Sequence, residues 1–412
     1  MMGPRGRYSI AAFEPKEIRV FRGDEDPFQF LEEWLRDSPS IESDLPFAGG
    51  WIGYFGYELY SFLENKVPAR EPDLLPKAVF CYYDKFHIYD HQKEKSPHPP
   101  FFKGGTPGTS PFEKGGMRGI SSNFTKPAYL AAIQKIKNYI AAGDCYQVNL
   151  SQKFTASYEG SPYDLYQSLR QVSPAPYSAY LNLGEAQILS SSPECFLEVN
   201  GKSVVTRPIK GTRPRGKTVE EDEGLRVELE TSAKDHAELV MITDLERNDL
   251  GRVCREGSVT VSNLGVVESY EQVHHRVATI QGELAEGKTV IDLLRATFPG
   301  GSITGAPKIR SMQIIHELEK DPRTIYTGAI GYLSRNGRAQ FNIAIRTMVV
   351  KDRQTHFWAG GGIVADSDPE AEYQETLAKA KGMMTALGLD PSDLGDCLND
   401  VGLEKSWEKE SC

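Results

Sequence analysis

The chain has 412 residues, 39% hydrophobic and 25% charged, the balance of a globular protein with room for one large or two ordinary domains. Lys and Arg number 47 against 57 Asp and Glu, a formal charge of −10, which argues against the basic footprint of a nucleic-acid binder. An anionic substrate then needs a metal or a few placed cations. The six cysteines (Cys81, Cys145, Cys195, Cys254, Cys397 and Cys412) form no C-x-x-C pair, so no zinc cluster, redox motif or disulfide scaffold is expected. No stretch is apolar for long enough to span a bilayer, and the first fifteen residues contain no apolar signal core. The expectation is a cytoplasmic protein with neither a membrane nor a nucleic-acid partner.

Residues 1–90 read as a β-rich N-terminal region, centred on the aromatic, glycine-punctuated run from Ala48 to Tyr57. Residues 91–123 are rich in Pro, Gly, Lys and Ser and repeat PFFKGG as PFEKGG, so they read as a flexible insertion. Residues 124–390 are expected to form the main domain, followed by a tail at 391–412. Leu130, Ile133, Ile136 and Ile140 recur at helical spacing. Glu198 to Val204, with Asn200-Gly201 inside, reads as a hairpin whose strict two-residue register pairs 199 with 202. One long helix is expected from about Glu220 to Leu250. A glycine loop at 300–308 opens another helix, with Pro307 in its first turn. Strands are expected at Ala329–Leu333 and Phe341–Val350, and a last helix at Pro369–Leu387. Without strict βαβ alternation, the fold class is α+β with large antiparallel sheets.

Lys210, in Pro208-Ile209-Lys210-Gly211-Thr212, follows Glu194 by sixteen positions. The hairpin brings these two toward each other as an acid and an amine nucleophile. Asp235 and Glu238 are three apart, as are Glu372 and Glu375, with Lys379 four further on. Each set shares one helix face. Four carboxylates on two facing helices call for a hard cation, and magnesium fits. The loop at 300–308 is no Walker A, yet its backbone N–H groups suit an anion such as a carboxylate. The run Gly360-Gly361-Gly362 suits close backbone approach to a ligand.

Together these strings resemble the chorismate-utilising enzymes. The matching runs are GDCYQVNL at 143–150, SSPE at 191–194, PIKGT at 208–212 and KDHAELVMITDLERNDLG at 234–251. GAPK at 305–308, Ile345-Arg346-Thr347 and the segment 360–383 continue the match. The resemblance implies that family's fold, with two large, mostly antiparallel sheets and outer helices. Lys210 draws the chain toward the aminodeoxychorismate synthase branch. Anthranilate synthases carry Ala there, and isochorismate and salicylate synthases carry Lys where this chain has Gln147.

By resemblance, Glu194 is the general acid and Lys210 the nucleophile that forms a covalent adduct, while His275 is an active-site histidine. Gly211, Thr212, Tyr326, Arg346, Gly360, Gly361, Gly362 and Lys379 match substrate-binding positions. Glu238 and Glu375, with Asp235 and Glu372 beside them, match Mg²⁺ ligands. The implied reaction converts chorismate and ammonia to 4-amino-4-deoxychorismate, toward para-aminobenzoate and folate. The sequence shows no glutaminase elbow, so a separate glutamine amidotransferase subunit is the implied partner. Anthranilate synthesis and a catalytically inert regulatory relative are the competing readings. Leu239 and Cys195 depart from the family's usual residues. The chain starts at what resembles the family's second strand, so the segment that often helps hold tryptophan is expected to be missing and a sheet edge uncovered.

Overall fold

The computed structural model describes residues 6–93 and 119–389. The tail at 391–412 and most of the 91–123 insertion lie outside them. The insertion's described end, Ile120–Ser122, is a strand (β6) rather than loop. It pairs with Phe154–Ala156, and Ile120 is buried in that sheet's core.

Near the N-terminus, β1 (Tyr8–Ala12) pairs with β5 (Phe86–Asp90) in a small separate sheet. A ten-stranded antiparallel sheet combines β2 (Glu17–Phe21), β3 (Gly50–Phe55) and β4 (Ala78–Tyr83) with strands from the middle of the chain. Those are β10 (Cys195–Asn200), β11 (Ser203–Arg207), β12 (Ile209–Pro214), β13 (Thr260–Ser269), β14 (Val273–Glu283), β16 (Ala329–Ser334) and β17 (Arg338–Ile343). At the β2 edge Ile18 stays 57% exposed.

The second sheet has seven strands, also antiparallel: β6, β7 (Gln147–Ser157), β8 (Tyr177–Asn182), β9 (Ala186–Ser192), β15 (Gly305–Ala306), β18 (Thr347–Lys351) and β19 (Gln354–Ile363). The sheets share a core in which Tyr54, Val79 and Ile330 of the first meet Ile188, Val349 and Trp358 of the second. Helices cover the outer faces. α1 (Pro27–Asp37) and α6 (Val290–Thr297) pack on the larger sheet through Phe28, Leu31 and Leu294. α3 (Pro162–Val172) and α8 (Pro369–Ala386) pack on the smaller one through Leu165, Leu169 and Met384. α2 (Lys126–Ala141) and α7 (Lys308–Leu318) share a further cluster with β7. This is the expected α+β class with two large antiparallel sheets. No described helix is long and apolar enough to cross a membrane.

Four expectations need correction. The N-terminal region is not all strand: Asp26 caps α1, whose first turn opens on Pro27. The helix expected over Glu220–Leu250 is two, α4 (Val219–Thr231) and α5 (Ala233–Gly251). They break at Ser232, which caps α5 by accepting from the Asp235 N–H. The strand expected over Phe341–Val350 is β17 and β18, parted at Arg346, whose φ of +48° leaves the extended region. The hairpin register is shifted by one: Asn200 pairs with Ser203, so Gly201-Lys202 makes the turn. Gly201, with φ of +61°, takes the first central position, as a type II′ turn requires.

Candidate active site

Glu194 follows the end of β9, and Lys210 lies in β12. A bulge in β10 between Cys195 and Glu198 disrupts the ladder beside Glu194 and re-aims the chain. The Ile209 N–H hydrogen-bonds the Glu194 carboxyl, which places the acid one residue from the lysine. Ser302, in the short 3-10 turn Gly301–Ile303, joins both groups. Its hydroxyl lies against the Glu194 carboxyl, and its carbonyl accepts from Lys210 Nζ at 3.3 Å.

Both groups are displaced from their usual protonation. Burial pushes Glu194 up to about 7, against the Ser302 hydroxyl, Lys210, the Ile209 N–H and Lys379. Burial also lowers Lys210, helped by Lys379 and opposed by Glu238, Glu194 and Glu375. Lys210 retains some accessible surface while protein surrounds it, the condition of a side chain in a cleft. Both shifts run toward the states a general acid and a nucleophile need, a carboxyl that keeps its proton longer and an amine that gives its proton up more readily.

Gly211 has φ of +86°, and a Cβ there would stand 2.8 Å from the Asp235 Cγ and from a Leu229 methyl. Its bareness lets the α4–α5 junction close on the lysine strand. Thr212, at the exposed rim, hydrogen-bonds His275 Nδ1 at 2.8 Å. His275 is pushed down to about 3 by burial and then by Arg346 and His274, so the imidazole is neutral. Its Nε2 is buried without a partner.

Arg346, at the break between β17 and β18, is held below the usual guanidinium range by burial alone. No carboxylate among the described residues pairs with it, so this partly buried cation is in want of an anion. Tyr326 is buried and stacks on Trp358 with ring centroids 6.2 Å apart. β18 pairs with β19 only up to Phe357, which leaves that edge of Gly360–Gly362 uncovered by strand. A Cβ on Gly361 would meet Glu372 Oε2 at 3.2 Å and both Glu375 Oε1 and Lys379 Nζ at 3.8 Å.

The acidic helices meet at this end. Glu238 is raised by burial and by nearby Asp235 and Glu372, against Lys210 and Lys234. Asp235 pairs with Arg213 at 3.2 Å, Glu372 with Lys234 at 3.7 Å, and Glu375 with Lys379 at 2.7 Å. Among the described residues no three such groups already surround one point. The donor set, all carboxylate oxygen, fits magnesium chemically, but the ligands are not preassembled.

Part of the glycine loop is strand rather than turn. Gly305 and Ala306 form β15 against β7. Lys308, opening α7, turns away to Asp249 and the Thr297 carbonyl. Ser302 escaped the sequence reading because it acts largely through a backbone carbonyl, to which no side-chain pattern points. Gln147 does line the site: it is fully buried, touches Gly362, and neither of its amide atoms has a partner.

A further acid, Glu246 of α5, also escaped notice. It accepts from Thr206 Oγ1 at 3.1 Å and is pushed up to about 8 by burial and then by Glu194. Its folded value exceeds the ordinary one, so its stabilising contribution is complete below about pH 4.5 and is lost as pH rises through 8. Glu246→Gln should therefore raise stability at pH 9 by on the order of a few kcal/mol while changing little at pH 4.5. Thermal melts across that range check the sign.

The sequence matches the chorismate binding enzyme family over residues 3–385. It is 40% identical over 422 residues to aminodeoxychorismate synthase component 1 of Bacillus subtilis (strain 168), covering 93% of this chain and 90% of that one. It is 39% identical over 446 residues to anthranilate synthase component 1 of Synechocystis sp., covering 93% and 88%. The solved structure of anthranilate synthase component I from Streptococcus pneumoniae TIGR4 superposes with a TM-score of 0.81 at 34% identity, covering 92% of each chain. With the family matched over nearly the whole chain and relatives near 40% identical over most of their own length, this protein belongs to the chorismate-binding enzymes.

Proposed function

We propose that the chain aminates chorismate at C4, giving 4-amino-4-deoxychorismate, and so acts as an aminodeoxychorismate synthase component. The observation that carries this reading is Lys210, a partly buried amine with lowered basicity held by the Ser302 turn beside Glu194, whose carboxyl burial raises to about 7. Overall identity does not separate the two synthases, since relatives of both kinds stand near 40%.

Glu194 gives its proton to the C4 hydroxyl, which leaves as water. Lys210 forms a bond to C2 as the ring double bonds shift. Ammonia then bonds to C4, the double bonds shift back, and Lys210 leaves as an amine. The proton shed by the new nitrogen returns to Glu194, so atoms and charge balance. His275 is neutral and offers its Nε2 to the substrate. Glu238, Glu375, Asp235 and Glu372 would hold magnesium, which supplies Lewis-acid polarisation at the ring carboxylate. A glutamine amidotransferase partner would deliver the ammonia, in keeping with relatives named as component 1.

Arg346 is matched to a substrate carboxylate. Arg346→Met should raise the KM for chorismate about 100-fold, since a charge-assisted bidentate contact is lost. Arg346→Lys should recover only part of that. Intact-protein mass spectrometry tests the covalent step. With chorismate and Mg²⁺ but no ammonia, Lys210 should carry chorismate less water. An unmodified lysine in an enzyme that still aminates C4 would defeat this route.

A further inference from the structure

Behind the cleft lies a buried charge network that the reaction above leaves unused. Glu58, in the 3-10 turn Tyr57–Phe62 of the N-terminal region, and Arg323 are each only 2% exposed. Glu58 Oε1 accepts the backbone N–H of Arg323 at 2.7 Å and of Thr324 at 3.3 Å. The Tyr57 N–H donates to the Thr324 carbonyl at 2.7 Å. The Arg323 guanidinium grips Glu319 through two bonds, at 2.8 and 2.7 Å. It also donates to the carbonyls of Ile303 at 3.1 Å and Asn149 at 2.7 Å, and to Thr327 Oγ1 at 3.2 Å. One cation thus ties together the turn carrying Ser302, strand β7 beside Gln147, and the turn carrying Tyr326.

That last turn is strained. Thr324 and Thr327, both β-branched, have φ of +55° and +61° and flank Tyr326. Such residues leave the left-handed region unless their surroundings over-determine them. A small cavity lined by Tyr57, Glu58, Glu319 and Arg323 lies beside this network.

We propose that Glu58 and Arg323 are positioning residues that hold the strained Thr324–Thr327 turn so that Tyr326 and the Ser302 carbonyl meet the substrate and Lys210 in register. The inference rests on Tyr326 and Lys210 facing chorismate, and it gives the N-terminal region a part in the chemistry.

The test is steady-state kinetics on Thr327→Gly, Glu58→Ala and the double variant. Chorismate consumption with Mg²⁺ and ammonium chloride is the readout, whichever aminated product forms, so an error about which carbon is aminated leaves the test intact. Each single variant should raise the KM for chorismate about tenfold, the scale of a small misplacement. Thr327→Gly should do so with at most a small fall in Tm, because glycine accepts the backbone that threonine resists, which offsets the lost Arg323 bond to Thr327 Oγ1. The double variant should be no worse than the poorer single one, since both act through one turn. Wild-type KM and kcat in Thr327→Gly, or fully additive losses in the double variant, would overturn the proposal. If Glu58→Ala does not fold, Thr327→Gly alone decides.

Discussion

Lys210→Ala is expected to abolish amination at C4, with a fall of about three orders of magnitude or more, as for residues that act as one catalytic unit. The loss should be in kcat rather than in binding. Lys210 donates to the Ser302 carbonyl in the free protein and would bond to the substrate only as the reaction proceeds. Residual turnover is expected to yield anthranilate, because the cleft vacated at C2 admits ammonia directly. Liquid chromatography with mass detection separates the two products. Full C4 amination by the alanine variant would remove Lys210 from the mechanism.

Glu194→Gln is the second large effect. Loss of a general acid costs about 10²- to 10⁴-fold in kcat. The same change has the opposite sign for the fold. Burial raises Glu194 to about 7, so its carboxyl stabilises the protein fully below its unfolded value near 4.5, and that contribution is lost as pH rises through 7. The Gln variant should therefore be more stable at pH 8, by on the order of 2–3 kcal/mol. In the wild type kcat/KM should form a bell. Turnover needs Glu194 protonated, its carboxyl raised to about 7 by burial, and Lys210 neutral, its basicity lowered by burial. A profile with no alkaline limb in the wild type would contradict the acid role.

What the sequence made legible was local. The last helix, expected at Pro369–Leu387, runs Pro369–Ala386 and is capped by Asp368. The hairpin followed from Asn200-Gly201, yet its register did not, because either the pair Asn-Gly or the pair Gly-Lys satisfies the turn and only the bulge and β14 settle the choice. The break at Ser232 was readable in Ser232 and Asp235, a capping spacing obscured by the helical residues on both sides. Proximity of Glu194 and Lys210 was readable from the hairpin, and their roles came from the resemblance. Ser302 was not legible, since carbonyls have no sequence signature. Glu58 and Arg323 lie 265 residues apart, and no periodicity links residues that only the sheet brings together. That no carboxylate among the described residues pairs with Arg346 is likewise a property of the folded chain.

The measurement that bears most directly on the central claim is the identity of the product. The purified chain would be incubated with chorismate, Mg²⁺ and an ammonium salt, and the product resolved by chromatography with mass detection. 4-Amino-4-deoxychorismate is expected, with the pyruvyl ether retained. Anthranilate with release of pyruvate from the unaltered chain would contradict it.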